Sequence, residues 1–204
     1  MTKVLSQVES LPLIVHLQPV INLTDDQFFE FCQINRDLRI ERTAQGELLI
    51  MPPAGGETGG RNSELNLQLR MWAKRDSTGV AFDSSTGFTL PNRAMRSPDA
   101  AWVKRSRLAM LTREQKKKFL PLCPDFVIEL RSPSDTLRTL HAKMREYMEN
   151  GAQLGWLIDP EGKQVYIYRP QSQVERLENP MALSGDPVLP GFVLDLQEIW
   201  ETGF

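Results

Sequence analysis

Two acids stand alone in short apolar runs. Asp99 opens Asp99-Ala100-Ala101-Trp102-Val103, directly after Ser97-Pro98, and Glu129 sits inside Asp125-Phe126-Val127-Ile128-Glu129-Leu130-Arg131. Read as a strand with period two, the second run places Phe126, Ile128 and Leu130 on one face and Asp125, Val127, Glu129 and Arg131 on the other. An ionised glutamate buried without a partner is too costly to sit in dry core, so Glu129 must face a partner, a metal or water. An Arg131–Glu129 pair on a solvated sheet face explains the strand alone equally well. Lys143 lies on the helix that follows this strand, at the border of a stripe formed by Leu137, Leu140, Met144, Tyr147 and Met148. From there it can lean over the Glu129 face.

Two carboxylates on neighbouring strands with an ammonium beside them suit one chemistry. Oxygen ligands fit Mg²⁺, with Mn²⁺ as the alternative; Mg²⁺ takes one or two carboxylates and leaves water positions for phosphate oxygens. Such an ion polarises phosphorus and activates water, and a nearby lysine orients that water or meets the added negative charge. The expected reaction is phosphodiester hydrolysis.

The elements that must position these groups follow from the punctuation of the chain. Of 204 residues, 41% are hydrophobic and 25% charged, a globular composition sized for one domain. We expect an N-terminal arm over 1–24, interrupted by Pro12 and Pro19, and a single domain over 25–204. Thr24-Asp25-Asp26-Gln27 is a capping box ahead of a helix to Ile34, and Leu38–Arg42 with Leu48–Met51 reads as a hairpin. Gly55–Gly60 reads as a loop opening a second helix. Strands are expected at Val80–Phe82, Gly87–Leu90, Asp99–Val103, Asp125–Leu130, Leu154–Ile158 and Val165–Tyr168, with a helix over Asp135–Asn150 capped by Ser134 or Asp135. A Pro-rich final third is expected to pack back as a hairpin with a short helix near Leu196–Trp200. Together these give an α/β (α+β) domain: a mixed β-sheet flanked by helices, with hairpins at both ends.

Composition excludes several classes. Two cysteines, Cys32 and Cys123, and two histidines, His16 and His141, rule out a disulfide framework and a four-ligand Cys/His zinc site. A net charge of −2 cannot hold nucleic acid by overall field, so any basic footprint is local. Lys104–Lys118, with seven basic residues against Glu114, is the candidate for it, and a solvated helix face explains it as well. No run is long and apolar enough to span a membrane, and the first twenty residues build no signal-peptide core, so a cytoplasmic location is expected. Gly55–Gly60 lacks the Lys-Ser/Thr of a nucleotide-binding loop, and Asp83-Ser84-Ser85 lacks a nucleophile elbow.

Pro98-Asp99 and then Glu129-Leu130-Arg131 resemble the PD-(D/E)XK motif of restriction-endonuclease-like nucleases. More closely, the chain is similar to the Uma family of that superfamily. The stretches that carry the likeness are Met51-Pro52-Pro53 with the glycine loop, Arg96-Ser97-Pro98-Asp99, Pro124–Glu129 with Ser132-Pro133-Ser134, the Lys143…Tyr147…Gly151 helix, and Trp156–Pro160. The resemblance implies a restriction-endonuclease-like domain, an endonuclease acting on DNA rather than RNA, and Asp99 and Glu129 as metal ligands. One departure stands out. Arg131 occupies the motif's lysine position; it binds phosphate but cannot act as a base, and the lysine is expected to have moved to Lys143. Superfamily members often add an acid from the first core helix, for which Glu57 and Glu64 are the candidates. A homodimer is expected, since cutting both strands calls for two sites. The alternative is a non-catalytic binding or regulatory module that retains the scaffold.

Overall fold

The computed structural model describes residues 12–203. Of the arm expected over 1–24, residues 1–11 lie outside the described residues. Leu13–Val15 forms an edge strand, β1, along a later hairpin. Helix α1, Asp25–Ile34, starts at the capping box: Thr24 Oγ1 accepts from Gln27 N–H, and the Gln27 side chain accepts from Thr24 N–H. The hairpin β2, Arg39–Arg42, and β3, Leu48–Met51, follows with Glu41 opposite Leu49.

Helix α2 covers Gly56–Asp76, so the glycines expected as a loop form its first turn instead. Gly59 N–H already donates to Gly55 C=O. Next come β4, Gly79–Asp83, two short strands β5, Phe88–Thr89, and β6, Met95–Arg96, and then β7, Ala100–Lys104. The basic segment forms α3, Arg105–Ala109, and a 3₁₀ turn at Gln115–Lys117. Strand β8, Phe126–Leu130, leads to α4, Leu137–Glu149. Its N-cap is Thr136 rather than Ser134 or Asp135, because the Asp135 carboxylate accepts instead from Ser132 N–H and Oγ in the preceding turn. The chain finishes with β9, Leu154–Asp159, β10, Gln164–Tyr168, β11, Glu175–Glu178, the hairpin β12, Ala182–Ser184, with β13, Val193–Asp195, and α5, Gln197–Trp200.

The central sheet has six strands in the order β11-β10-β9-β8-β7-β4, mixed as expected: β8 and β9 run parallel and the remaining pairs antiparallel. Period two sorts its side chains between two cores. Ala100, Trp102, Phe126, Ile128 and Trp156 pack under α2 through Leu65, Leu69 and Trp72. Ala101, Val103, Val127 and Leu157 pack under α4 through Leu140, Met144 and Tyr147. A second sheet, β1-β3-β2-β6-β5, carries the N-terminal hairpin. Among the described residues no helix is long and apolar enough to cross a membrane.

Close packing constrains Gly79 severely. A Cβ on Gly79 would lie 2.1–2.4 Å from the indole of Trp102, which is fully enclosed and cannot yield. On Gly59 a Cβ would meet nothing within 4 Å. We expect Gly79→Ala to lower stability by about 1–3 kcal/mol, as overpacking does, and Gly59→Ala to raise it by about 0.5–1 kcal/mol, as in any helix interior. Urea denaturation of the two variants beside wild type measures both.

Candidate active site

The antiparallel register of β7 and β8 pairs Ala100 with Ile128 and Ala101 with Val127, so one residue further on Asp99 stands opposite Glu129. Both side chains project to the α4 side of the sheet, at the edge where β8 and β9 end. Asp99 Oδ2 accepts from Leu130 N–H at 2.9 Å, which locks the acid to its neighbouring strand. Its Oδ1 accepts from Asn62 Nδ2 at 3.3 Å and lies 3.6 Å from Arg39 Nη2. Asn66, one turn further along α2, holds the Asp99 backbone carbonyl at 2.9 Å.

Helix α4 brings Lys143 and Tyr147 onto Glu129. Lys143 Nζ lies 2.9 Å from Glu129 Oε1, and Tyr147 OH donates to the same oxygen at 2.8 Å. Residues 143 and 147 are one helical turn apart, so one face delivers both. No hydrogen bond reaches Glu129 Oε2 from the described residues.

A third acid completes the cluster, and the sequence reading missed it. Glu41 on β2 is 2% exposed, yet its carboxylate is fully engaged. Oε1 accepts from Lys143 Nζ at 2.9 Å and from Ser97 N–H at 2.9 Å, while Oε2 accepts from Arg96 Nη1 at 3.1 Å. Arg96 is anchored in turn by Glu146 of α4 at 2.6 Å. The available signal was alternation: in Arg39-Ile40-Glu41-Arg42, Ile40 packs with Phe28, so Arg39 and Glu41 share the opposite face.

Burial and charge set the protonation of this cluster. Burial pushes Glu129 up to about 7, assisted by the charges of Asp99 and Glu41 and opposed by Lys143. Asp99 is likewise raised by burial, against Arg39 and the Leu130 N–H. Burial acts to raise Glu41 too, but Lys143, Arg96 and the Ser97 N–H outweigh it and bring the carboxyl down to about 2. Lys143 is depressed by burial and raised more strongly by Glu129 and Glu41, so it stays an ammonium.

The other expected participants lie elsewhere. Arg131 is not turned to Glu129: its guanidinium holds Asp159 at 3.1 and 3.2 Å and reaches Glu161 at 3.3 Å, because the parallel β8–β9 pairing brings Asp159 alongside. Glu57 and Glu64 are not brought to the pair either. Glu57 is exposed and bridges Arg61, which donates to Ile199 C=O; Glu64 accepts from Gln68, which bonds Asp195. Both therefore sit on the side of α2 that meets α5 and β13, while Asn62 and Asn66 take the side facing Asp99. Asp83 ends β4 at the same sheet edge but is exposed and closes a turn onto Ser85. The basic segment leaves the far end of β7, and Arg107, Lys117 and Lys118 are spoken for by Asp125, Glu114 and Asp26.

A hard divalent ion fits the residues at this edge. Among the described residues no group of three or more acids, histidines or cysteines is placed to hold a metal ion; with Glu41 held by Lys143, Ser97 and Arg96, such an ion would have two carboxylates, Asp99 and Glu129. That is the usual complement for Mg²⁺. Asn62 Oδ1 is buried beside Asp99 without a hydrogen-bond partner, an orphaned acceptor that a cation would satisfy. The edge gathers four acids, Asp99, Glu129, Glu41 and Glu146, around three cationic side chains, Lys143, Arg96 and Arg39.

The depressed Glu41 carboxyl fixes a stability window. Its folded value of about 2 lies below the ordinary 4.5, so its contribution is present above pH 4.5 and is lost as pH falls through 2. Denaturation of wild type and Glu41→Gln between pH 2 and pH 5 should show a gap of about 3 kcal/mol at the upper end that closes toward the lower. A gap independent of pH would contradict the assignment.

Comparison with known proteins places the fold and the family. The solved structure described as a "putative nuclease belonging to DUF820" from Anabaena variabilis superposes with a TM-score of 0.69 at 23% identity, over 88% of this chain and 98% of that one. This likeness shows a shared fold. No curated protein matches. The family model described as "Uma2: Putative restriction endonuclease" matches residues 25–197, a span that takes in Glu41, Asp99, Glu129 and Lys143. The chain belongs to the Uma2 family, with its restriction-endonuclease-like fold.

Proposed function

We propose that the protein is a divalent-metal-dependent endonuclease that hydrolyses phosphodiester bonds of DNA. The observation that carries this reading is the convergence of Asp99 and Glu129 at one sheet edge with the Lys143 ammonium 2.9 Å from Glu129. Asp99 and Glu129 would hold the metal, Mg²⁺ or Mn²⁺, with Asn62 Oδ1 as a further oxygen. When bound, the metal polarises the scissile phosphate and lowers the pKa of water. Hydrolysis adds water at phosphorus and breaks one P–O ester bond, leaving a phosphomonoester and a hydroxyl.

The chain's own groups divide the remaining work. Lys143, held as an ammonium, donates hydrogen bonds; it orients the attacking water and meets negative charge as it builds on the phosphate. Arg39, whose side chain is 37% exposed, is the guanidinium at this edge that would meet phosphate, while its Nη2 donates to Ser97 C=O and lies 3.6 Å from Asp99 Oδ1. Arg131, neutralised by Asp159 and Glu161, instead ties the ends of β8 and β9 together. Two copies acting on opposite strands, in the cytoplasm, complete the reading.

The test is plasmid nicking with Mg²⁺ or Mn²⁺. Wild type should convert supercoiled to open-circle DNA, and Asp99→Asn, Glu129→Gln and Lys143→Met should each lower the rate about 100-fold or more. Arg39→Gln should weaken plasmid binding and flatten its salt dependence by about one phosphate contact. A wild type that binds neither metal, or variants that nick as wild type does, would sink the proposal and favour a binding module on the same scaffold.

A further inference from the structure

We infer that Glu41 is a positioning residue that shares the Lys143 ammonium with Glu129, and so keeps Glu129 available to a metal ion and the lysine in place once that ion is bound. The inference rests on the endonuclease reading above. It comes from an asymmetry between the lysine's two acids. Glu41 accepts from three separate groups through both of its oxygens, being fixed by Ser97 N–H and Arg96 as well as by Lys143. Among the described residues Glu129 is bound through Oε1 alone, by Lys143 and Tyr147. One carboxylate is thus a permanent partner and the other an exchangeable one.

The alternative arrangement shows why this matters. An ammonium buried beside a single acid pairs with it tightly, since neither has water to turn to. A cation would then have to break that pair in order to reach Glu129. It would also leave Lys143 with no anchor, free to swing away from the place where water must be held. With Glu41 present, the ammonium keeps one charged partner throughout. The anchor is rigid, because Arg96 links Glu41 to Glu146 on the same helix that carries Lys143, three residues on. The lysine is held from both ends: through its own backbone in α4 and through its ammonium by β2.

The experiment is calorimetric Mn²⁺ titration of the full chain, which reads metal affinity without reference to cleavage. Four proteins form a cycle: wild type, Glu41→Gln, Lys143→Met and the double variant. Glu41→Gln should weaken Mn²⁺ binding tenfold or more when Lys143 is present, and less than threefold when it is replaced by Met, because there is then nothing to position. Equal losses in the two backgrounds would mean that Glu41 acts only as a distant charge or as part of the fold, and would overturn the inference. So would a folded Glu41→Gln that binds within twofold of wild type. Should Glu41→Gln fail to fold, Glu41→Gln with Arg96→Met removes the buried pair together and preserves the local charge; the same tenfold loss is expected, and wild-type affinity would refute it. A wild type that binds no Mn²⁺ removes the metal reading itself and this inference with it.

Discussion

The candidate site depends on a lysine ammonium shared by two buried carboxylates. Burial alone would neutralise Lys143 and raise both acids; together Lys143 stays an ammonium and Glu41 a carboxylate, while burial still lifts Glu129 to about 7. Every other feature of the region serves that arrangement. Tyr147 meets Glu129 from the next helical turn, Arg96 and the Ser97 N–H hold Glu41 as well, and Asp99 is locked by Leu130 N–H.

The fold achieves this by bringing two sheets to one helix. The six-stranded sheet provides the acids at the ends of β7 and β8, and α4 crosses its face with the lysine and the tyrosine. The N-terminal sheet closes over the other side with Arg39 and Glu41 on one face of β2 and with Ile40 in a separate apolar cluster. A strand of four residues thus presents a polar face to the site and an apolar face to its own core.

Much of this was readable in the sequence because it is local. Period two on β8 separates Glu129 from Phe126, Ile128 and Leu130, and helical spacing places Lys143 at the edge of the stripe that packs on the same face. What escaped depends on pairing across long stretches of chain. Glu41 meets Lys143 across 102 positions, and no local periodicity reports that a polar strand face will be buried by another sheet. Arg131 finds Asp159 28 positions away only because β8 and β9 are parallel neighbours. The phase of α2 was likewise hidden. Its rotation is set by Arg61 and Gln68 bonding the C-terminal segment, which leaves Asn62 and Asn66, not Glu57 or Glu64, beside Asp99.

The placement of Glu41 outside the six-stranded sheet has a consequence for how such a chain can be divided or rearranged. A piece restricted to β4–β10 and its helices would retain Asp99, Glu129 and Lys143, and would look intact by pattern. It would nevertheless lack the tether that restrains the amine. In this architecture the N-terminal hairpin is not an appendage but a support of the lysine, so recombination or truncation ahead of α2 would remove a charged partner of Lys143 without touching Asp99, Glu129 or the lysine itself.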